Sequence, residues 1–67
     1  MSVAKVMEIT SQSPEGFDHA IKLGLERASK TVQGIRGAWI KDQQLVVEGG
    51  QIRMYRVDMK LTFELRD

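Results

Sequence analysis

IRMYRVDMKLTFEL, residues 52–65, decides the fold, because apolar and polar residues alternate along it almost without a break. One parity carries Tyr55, Val57, Met59, Leu61, Phe63 and Leu65, and the other carries Arg56, Asp58, Lys60, Thr62 and Glu64. A period of two is typical of a strand with one buried face. The stretch therefore predicts a strand from about Ile52 to Leu65 in a sheet with one covered face and one open face.

A second strand is predicted on the amino-terminal side of this one, from about Ala38 to Glu48. The intervening Gly49-Gly50 pair indicates a tight turn, so the two strands form a hairpin. Alternation places Ala38 and Ile40 on the covered side. It places Gly37, Trp39 and Lys41 on the open side with Arg56, although a single bulge would reverse this assignment.

A helix is predicted before the hairpin, because apolar residues recur there at three- and four-residue spacing. Ser13 is the expected N-cap, with Pro14 at the first helical position, and Gly34 is expected to end the helix at C′. Gly24 lies within the apolar stripe, which suggests a close approach to the sheet. The stripe comprises Phe17, Ala20, Ile21, Gly24, Leu25, Ala28 and Val32.

A first strand is predicted from Val3 to Thr10, with its two faces left open because both parities carry apolar residues. The order is then βαββ, and placing the third strand in the middle makes every pairing antiparallel. We expect an α+β fold, a three-stranded antiparallel sheet with one helix packed on one face. Residues 1–67 are expected to form a single domain.

Size and composition limit what this domain does alone. A chain of 67 residues buries only about 60% of the surface that its unfolded state exposes. It has no cysteine, so no disulfide stabilises it. Oligomerisation is the remaining way for so small a domain to gain stability. The net charge is +1 with no basic run, which argues against nucleic acid. No bilayer-spanning stretch or export signal is present, and a cytoplasmic location is expected.

Enzyme chemistry has little support in the sequence. His19, the single histidine, is expected to be a plain surface residue. A small tautomerase would need an amino-terminal proline as its base, and here Ser2 follows Met1. No phosphate-binding or dinucleotide glycine motif follows the first strand. We expect a protein that is not an enzyme. The carboxylates Asp42, Glu48 and Asp58 are candidates for a cation only if subunits bring them together.

Trp39, the only tryptophan, is expected on the open face rather than under the helix. There it either forms a subunit contact or provides a flat surface for a ligand, and the contact is the more common role of an exposed tryptophan in a small oligomer.

The whole chain resembles the dodecin family. The resemblance rests on KVMEI in the first strand, SPEGFDHAI and LERASKTV in the helix, IRGAWIKDQ, the GG turn and the closing YRVDMKLTFEL. It implies a βαββ subunit of a hollow dodecamer with cubic 23 symmetry. It also implies binding of flavins such as riboflavin or FMN, in some members coenzyme A, and storage of the flavin rather than turnover.

The positions that hold flavin in the family differ here. Flavin-binding members stack paired rings between tryptophans and bond the ring edge with a glutamine. These positions fall on Gly37 and Arg56 in this sequence, as in a branch of the family without the flavin-stacking tryptophan. A glycine offers no stacking surface, and an arginine donates but does not accept.

Two hypotheses for the open face follow. In the first, Trp39 is a shifted stacking surface beside Gly37, and Arg56, with Asp42 and Gln43, completes a site for FMN, riboflavin or a related planar cofactor. In the second, Trp39 and Arg56 close the pocket as a cation–π pair in a structural assembly, with cations on symmetry axes. The identity of any metal stays open.

Overall fold

The computed structural model describes residues 3–65, and its elements follow the predicted order. They are β1 (Val3–Ser13), α1 (Phe17–Thr31), β2 (Ile35–Glu48) and β3 (Gln51–Leu65). The sheet has the order β1-β3-β2, and both pairings with the central β3 are antiparallel. The predicted α+β fold is confirmed. α1, the helix of the described chain, is too short and too polar to cross a bilayer.

The core lies between small residues of α1 and large residues of β3. Ala20, Gly24 and Ala28 are the buried residues of the helix, and they recur every four positions, which places them on one stripe. Val57, Met59 and Leu61 face them with no exposed surface. The predicted role of Gly24 is confirmed, since a Cβ there would lie 2.5 Å from Met59 Cε.

The pairing with β3 settles the orientation of β1. Met7 lies opposite Leu61, and Ile9 lies opposite Met59, so both side chains pack against the core. Val6 lies on the other parity and is exposed.

The connection from β1 to α1 differs from the prediction. β1 continues to Ser13, which lies opposite Tyr55 in the ladder, so Ser13 is not the N-cap and Pro14 precedes the helix. Gly16 is the N-cap and has no side-chain cap bond. The Ser13 hydroxyl instead accepts the Glu15 N–H at 3.0 Å and bonds His19 Nδ1 at 2.6 Å, which holds Ser13 in the strand.

The end of α1 also shifts by a residue. Val32 is the C-cap and donates its N–H to the Ala28 carbonyl, so Gln33 is at C′ and Gly34, which was predicted there, lies one position beyond it. Gly34 has a φ of 81°, and its carbonyl accepts the Glu64 N–H at 3.2 Å. This bond ties the connection to β3, and β2 begins at Ile35, three residues earlier than predicted.

β2 contains a bulge that changes which side chains face the helix. The register passes from Ile40 opposite Met59 to Asp42 opposite Asp58, so Lys41 is an extra residue. Beyond the bulge, Asp42 joins Trp39 on the open side, while Gln43 lies opposite the buried Val57. The placement of Gln43 beside Trp39 is therefore wrong, because an extra residue reverses the alternation.

Candidate functional site

The side of the sheet turned away from α1 is called the open face. Four residues of β3 on this face are each flanked by one residue of β1 and one of β2. The resulting four rows are Gln12–Arg56–Gln44, Thr10–Asp58–Asp42, Glu8–Lys60–Trp39 and Val6–Thr62–Gly37. A surface with this mixture of charged, amide and aromatic groups suits ligand recognition or contact with another subunit.

The Trp39 row combines an aromatic surface with two cations. Trp39 is 66% exposed, and Lys60 Nζ lies 5.4 Å from the centroid of its ring, within the range of a cation–π contact. Lys41, the bulge residue, pairs with Glu8 at 3.2 Å. The prediction that Trp39 lies on the open face is confirmed. In a single subunit its indole is accessible to a stacking partner.

The next row holds two carboxylates directly opposite each other, Asp42 on β2 and Asp58 on β3; we call them the acidic pair. The Gln44 amide lies 3.2 Å from Asp42 Oδ2 and 3.4 Å from Asp58 Oδ2, donating to both. The Thr10 hydroxyl donates to Asp58 Oδ1 at 2.9 Å. Like charges directly opposite on paired strands repel, and these neutral donors counter that repulsion.

Arg56 is separated from Trp39 within the subunit. Its Nε donates to Gln12 Oε1 at 3.2 Å, and it lies four residues along β3 from Lys60, or about 13 Å at the rise of a strand. The predicted cation–π pair between Trp39 and Arg56 is therefore not formed inside one chain. Lys60 takes that role, because it is the residue opposite Trp39 in the ladder.

Gly37 lies two residues before Trp39 on the same face, about 7 Å away. Its carbonyl accepts the Thr62 hydroxyl at 3.4 Å, and a Cβ there would lie 3.0 Å from Thr62 Oγ1. The position that carries the stacking tryptophan in flavin-binding members is thus bare backbone here, with Thr62 directly beneath it.

The remaining candidates lie apart from this cluster. Glu48 ends β2 at the hairpin and pairs with Arg53 at 3.7 Å, so it does not join the acidic pair within one subunit. A groove of about 410 Å³ lies beside the end of α1, lined by residues 31–34 and 63–65. None of the predicted site residues lines it.

Sequence reasoning missed three neighbours of the site, Thr10, Gln44 and Lys60, because contacts across strands depend on a register that single-strand alternation does not give. His19 lies at the surface as expected, with 39% of its side chain exposed, but its ring also bonds the buried Ser13 and contacts Glu15 at 3.4 Å. The signal for that cluster was local: a serine, a glutamate and a histidine within seven residues at the start of a helix.

Comparison with known proteins agrees with this architecture. The Dodecin family model matches residues 3–66. The chain is 32% identical to calcium dodecin from Mycobacterium tuberculosis, covering 98% of this chain and 93% of that protein. Among solved structures, dodecin from Streptomyces davaonensis is 33% identical, with a TM-score of 0.94 and coverage of 98% and 97%. The Mycobacterium tuberculosis calcium dodecin structure, described with a novel calcium-binding site, is 33% identical, with a TM-score of 0.84 and coverage of 97% and 93%. The chain therefore belongs to the dodecin family.

Proposed function

We propose that this chain is the subunit of a homo-oligomeric binding protein, a dodecamer, which holds a divalent cation at the acidic pair of its open face and is not an enzyme. The observation that carries the proposal is the direct opposition of Asp42 and Asp58. Homo-oligomers are the rule in the dodecin family, and the relative from Mycobacterium tuberculosis is named for calcium. The cytoplasmic location stays a prediction.

The oxygen atoms around the acidic pair are of the types that coordinate Ca²⁺. Ca²⁺ takes six to eight oxygen ligands, with carboxylates preferred. One subunit offers the carboxylates of Asp42 and Asp58, the hydroxyl of Thr10 and the amide oxygen of Gln44. Presenting that oxygen requires the Gln44 amide to rotate, which exchanges a donor for an acceptor.

One subunit has too few of these oxygen ligands to complete the coordination of Ca²⁺. Residues 3–65 contain no group of three or more His, Cys, Asp or Glu side chains placed to hold a metal ion. A second open face, or water, must complete the coordination. The proposal therefore links cation binding to assembly: the cation would offset the repulsion within each acidic pair while it bridges neighbouring subunits.

Calorimetric titration of the assembled protein with Ca²⁺, after treatment with a chelator, tests this function. We expect saturable binding that weakens roughly ten-fold or more in Asp58→Asn and in Asp42→Asn, because affinity for Ca²⁺ follows the charge of its ligands. Glu26→Gln removes an exposed helix carboxylate and is the matched control. Light scattering on each variant verifies that the oligomer is intact. Absent binding, or equal affinity in all three variants, contradicts a site at the acidic pair.

A second candidate function is the binding of a planar cofactor, favoured by the 66% exposure of Trp39. Flavin, as FMN or riboflavin, would stack on the indole beside Lys60, while Gly37 leaves the usual stacking position bare. Arg56 would reach a phosphate group of such a ligand, or of coenzyme A, only across a subunit boundary. Asp42 lies on the same face, whereas Gln43 does not.

Titration of riboflavin and FMN with the protein, followed by flavin fluorescence, tests this candidate. Stacking on Trp39 predicts saturable quenching at micromolar protein that Trp39→Ala abolishes, with Leu23→Ala on the exposed side of α1 as the control. If wild type does not quench and Trp39→Ala instead dissociates the oligomer, Trp39 is a subunit contact and the structural assembly with a closed pocket is the correct alternative.

A further inference from the structure

We propose that Ser13, His19 and Glu15 form a proton-sensitive strap, which holds the start of α1 against the end of β1 while His19 is neutral and loosens when His19 is protonated. This inference is independent of the ligand of the open face. It assigns a role to the single histidine, which lies on the opposite side of the sheet from the acidic pair.

The strap consists of two hydrogen bonds and one histidine–carboxylate contact. The Glu15 backbone N–H donates to Ser13 Oγ at 3.0 Å, and Ser13 Oγ lies 2.6 Å from His19 Nδ1. His19 Nε2 lies 3.4 Å from Glu15 Oε2. Since the serine hydroxyl has one hydrogen, both hydrogen bonds form together when that hydrogen points to Nδ1, and the neutral ring then carries its own hydrogen on Nε2, the nitrogen that faces Glu15.

Burial makes the serine sensitive to the state of the ring. Ser13 has no exposed surface and is the buried polar residue of the described chain. Protonation turns Nδ1 into a donor, so the hydroxyl hydrogen loses its acceptor in a place that water does not reach. A buried donor without a partner costs more than an exposed ion pair returns. The ion pair here is exposed, because the Glu15 side chain is 70% accessible.

Other titratable groups surround this corner without a hydrogen bond or ion pair to the ring. Asp18 and Lys22 flank His19 on α1, and Tyr55 lies opposite Ser13 on β3. Among the hydrogen bonds and ion pairs of residues 3–65, the ring has Ser13 and Glu15 as its partners. Gly16, the N-cap, brings no side-chain bond of its own, so the Ser13–His19 bond is what ties the first turn of α1 to β1.

Hydrogen exchange of the full-length assembled protein, followed by mass spectrometry at pH 7.5 and pH 5.5, tests the strap. This interval spans the titration of an ordinary histidine. After correction for intrinsic exchange, we expect protection in peptides covering residues 13–23 to fall roughly ten-fold on acidification. Peptides from residues 55–63 in β3 serve as the internal reference and should not change.

Two variants separate the strap from other effects of pH. His19→Asn keeps an acceptor near the Nδ1 position without a titrating proton, and we expect it to remove the pH response. Glu15→Gln removes the acidic partner and keeps the Ser13–His19 bond, and we expect it to retain the response. The proposal is overturned if wild type shows no change or gains protection at pH 5.5, if His19→Asn responds like wild type, or if Glu15→Gln abolishes the response.

Discussion

Leu61→Ala is expected to lower the free energy of unfolding by about 2–5 kcal/mol, the range for removing a fully buried leucine side chain. Leu61 has no exposed surface and lies on the central strand, between Met7 of β1 and Ala38 of β2. Because the strand is paired on both sides, the backbone has little freedom to collapse into the cavity. In a domain of 67 residues, a loss of this size approaches the whole stability.

Urea unfolding at a fixed subunit concentration measures this effect, since assembly makes the apparent stability depend on concentration. Leu23→Ala is the matched control, because it removes the same atoms from a helix position that is 40% exposed. We expect the control to cost less than about 1 kcal/mol, as surface substitutions usually do. Equal losses in the two variants would mean that the core is not between α1 and β3.

Gly24→Val is expected to lower the free energy of unfolding by about 1–3 kcal/mol or more through overpacking. A Cβ at Gly24 already lies 2.5 Å from Met59 Cε and 3.0 Å from Ser11 Cβ. The end of Met59 moves easily to admit one methyl group, but a valine adds two further carbons against β1. The helix would have to lift from the sheet, exposing Ala20 and Ala28 with it.

Two control variants isolate the contribution of packing. Gly24→Ala gains about 1 kcal/mol of helix propensity over glycine, which offsets its smaller clash, so we expect a stability near that of wild type. Ser29→Val places the same β-branched residue at an exposed position of α1 and reports its propensity alone. If Gly24→Val unfolds at the same urea concentration as Ser29→Val, close packing against the sheet is not the reason that a larger side chain is unfavourable at position 24.

The sequence predicted the architecture because its strongest signals act along a single element. The alternation from Tyr55 to Leu65 determined β3 and its two faces, and Gly49 and Gly50, with φ of 61° and 75°, form the predicted turn. Boundaries were less predictable. Ser13 has the side chain of an N-cap, yet its backbone continues the ladder because Tyr55 lies opposite it.

Some residues of the site were predictable one by one, but the full set was not. Trp39 and Arg56 were correctly assigned to the open face, while their predicted cation–π pairing, placed at a subunit contact, does not form inside one chain, where Lys60 is the residue across from Trp39. The spacing of Trp39 and Gly37 can be read from one strand. That Asp42 lies opposite Asp58 can be predicted only when the register between two strands is known. Register depends on the bulge, and no residue around Lys41 is a glycine or proline that would have indicated one.

The bulge at Lys41 also has a consequence for how relatives are aligned. The extra residue shifts the alternation of β2, so Gly37 and Trp39 before it and Asp42 and Gln44 after it all face the open side, although their numbers differ in parity. A gap misplaced by one residue in this strand would leave the aligned residues plausible, yet it would exchange Asp42 for Gln43 on the open face. Ligand residues carried from one dodecin to another are therefore reliable in β2 only when both chains have the same bulge.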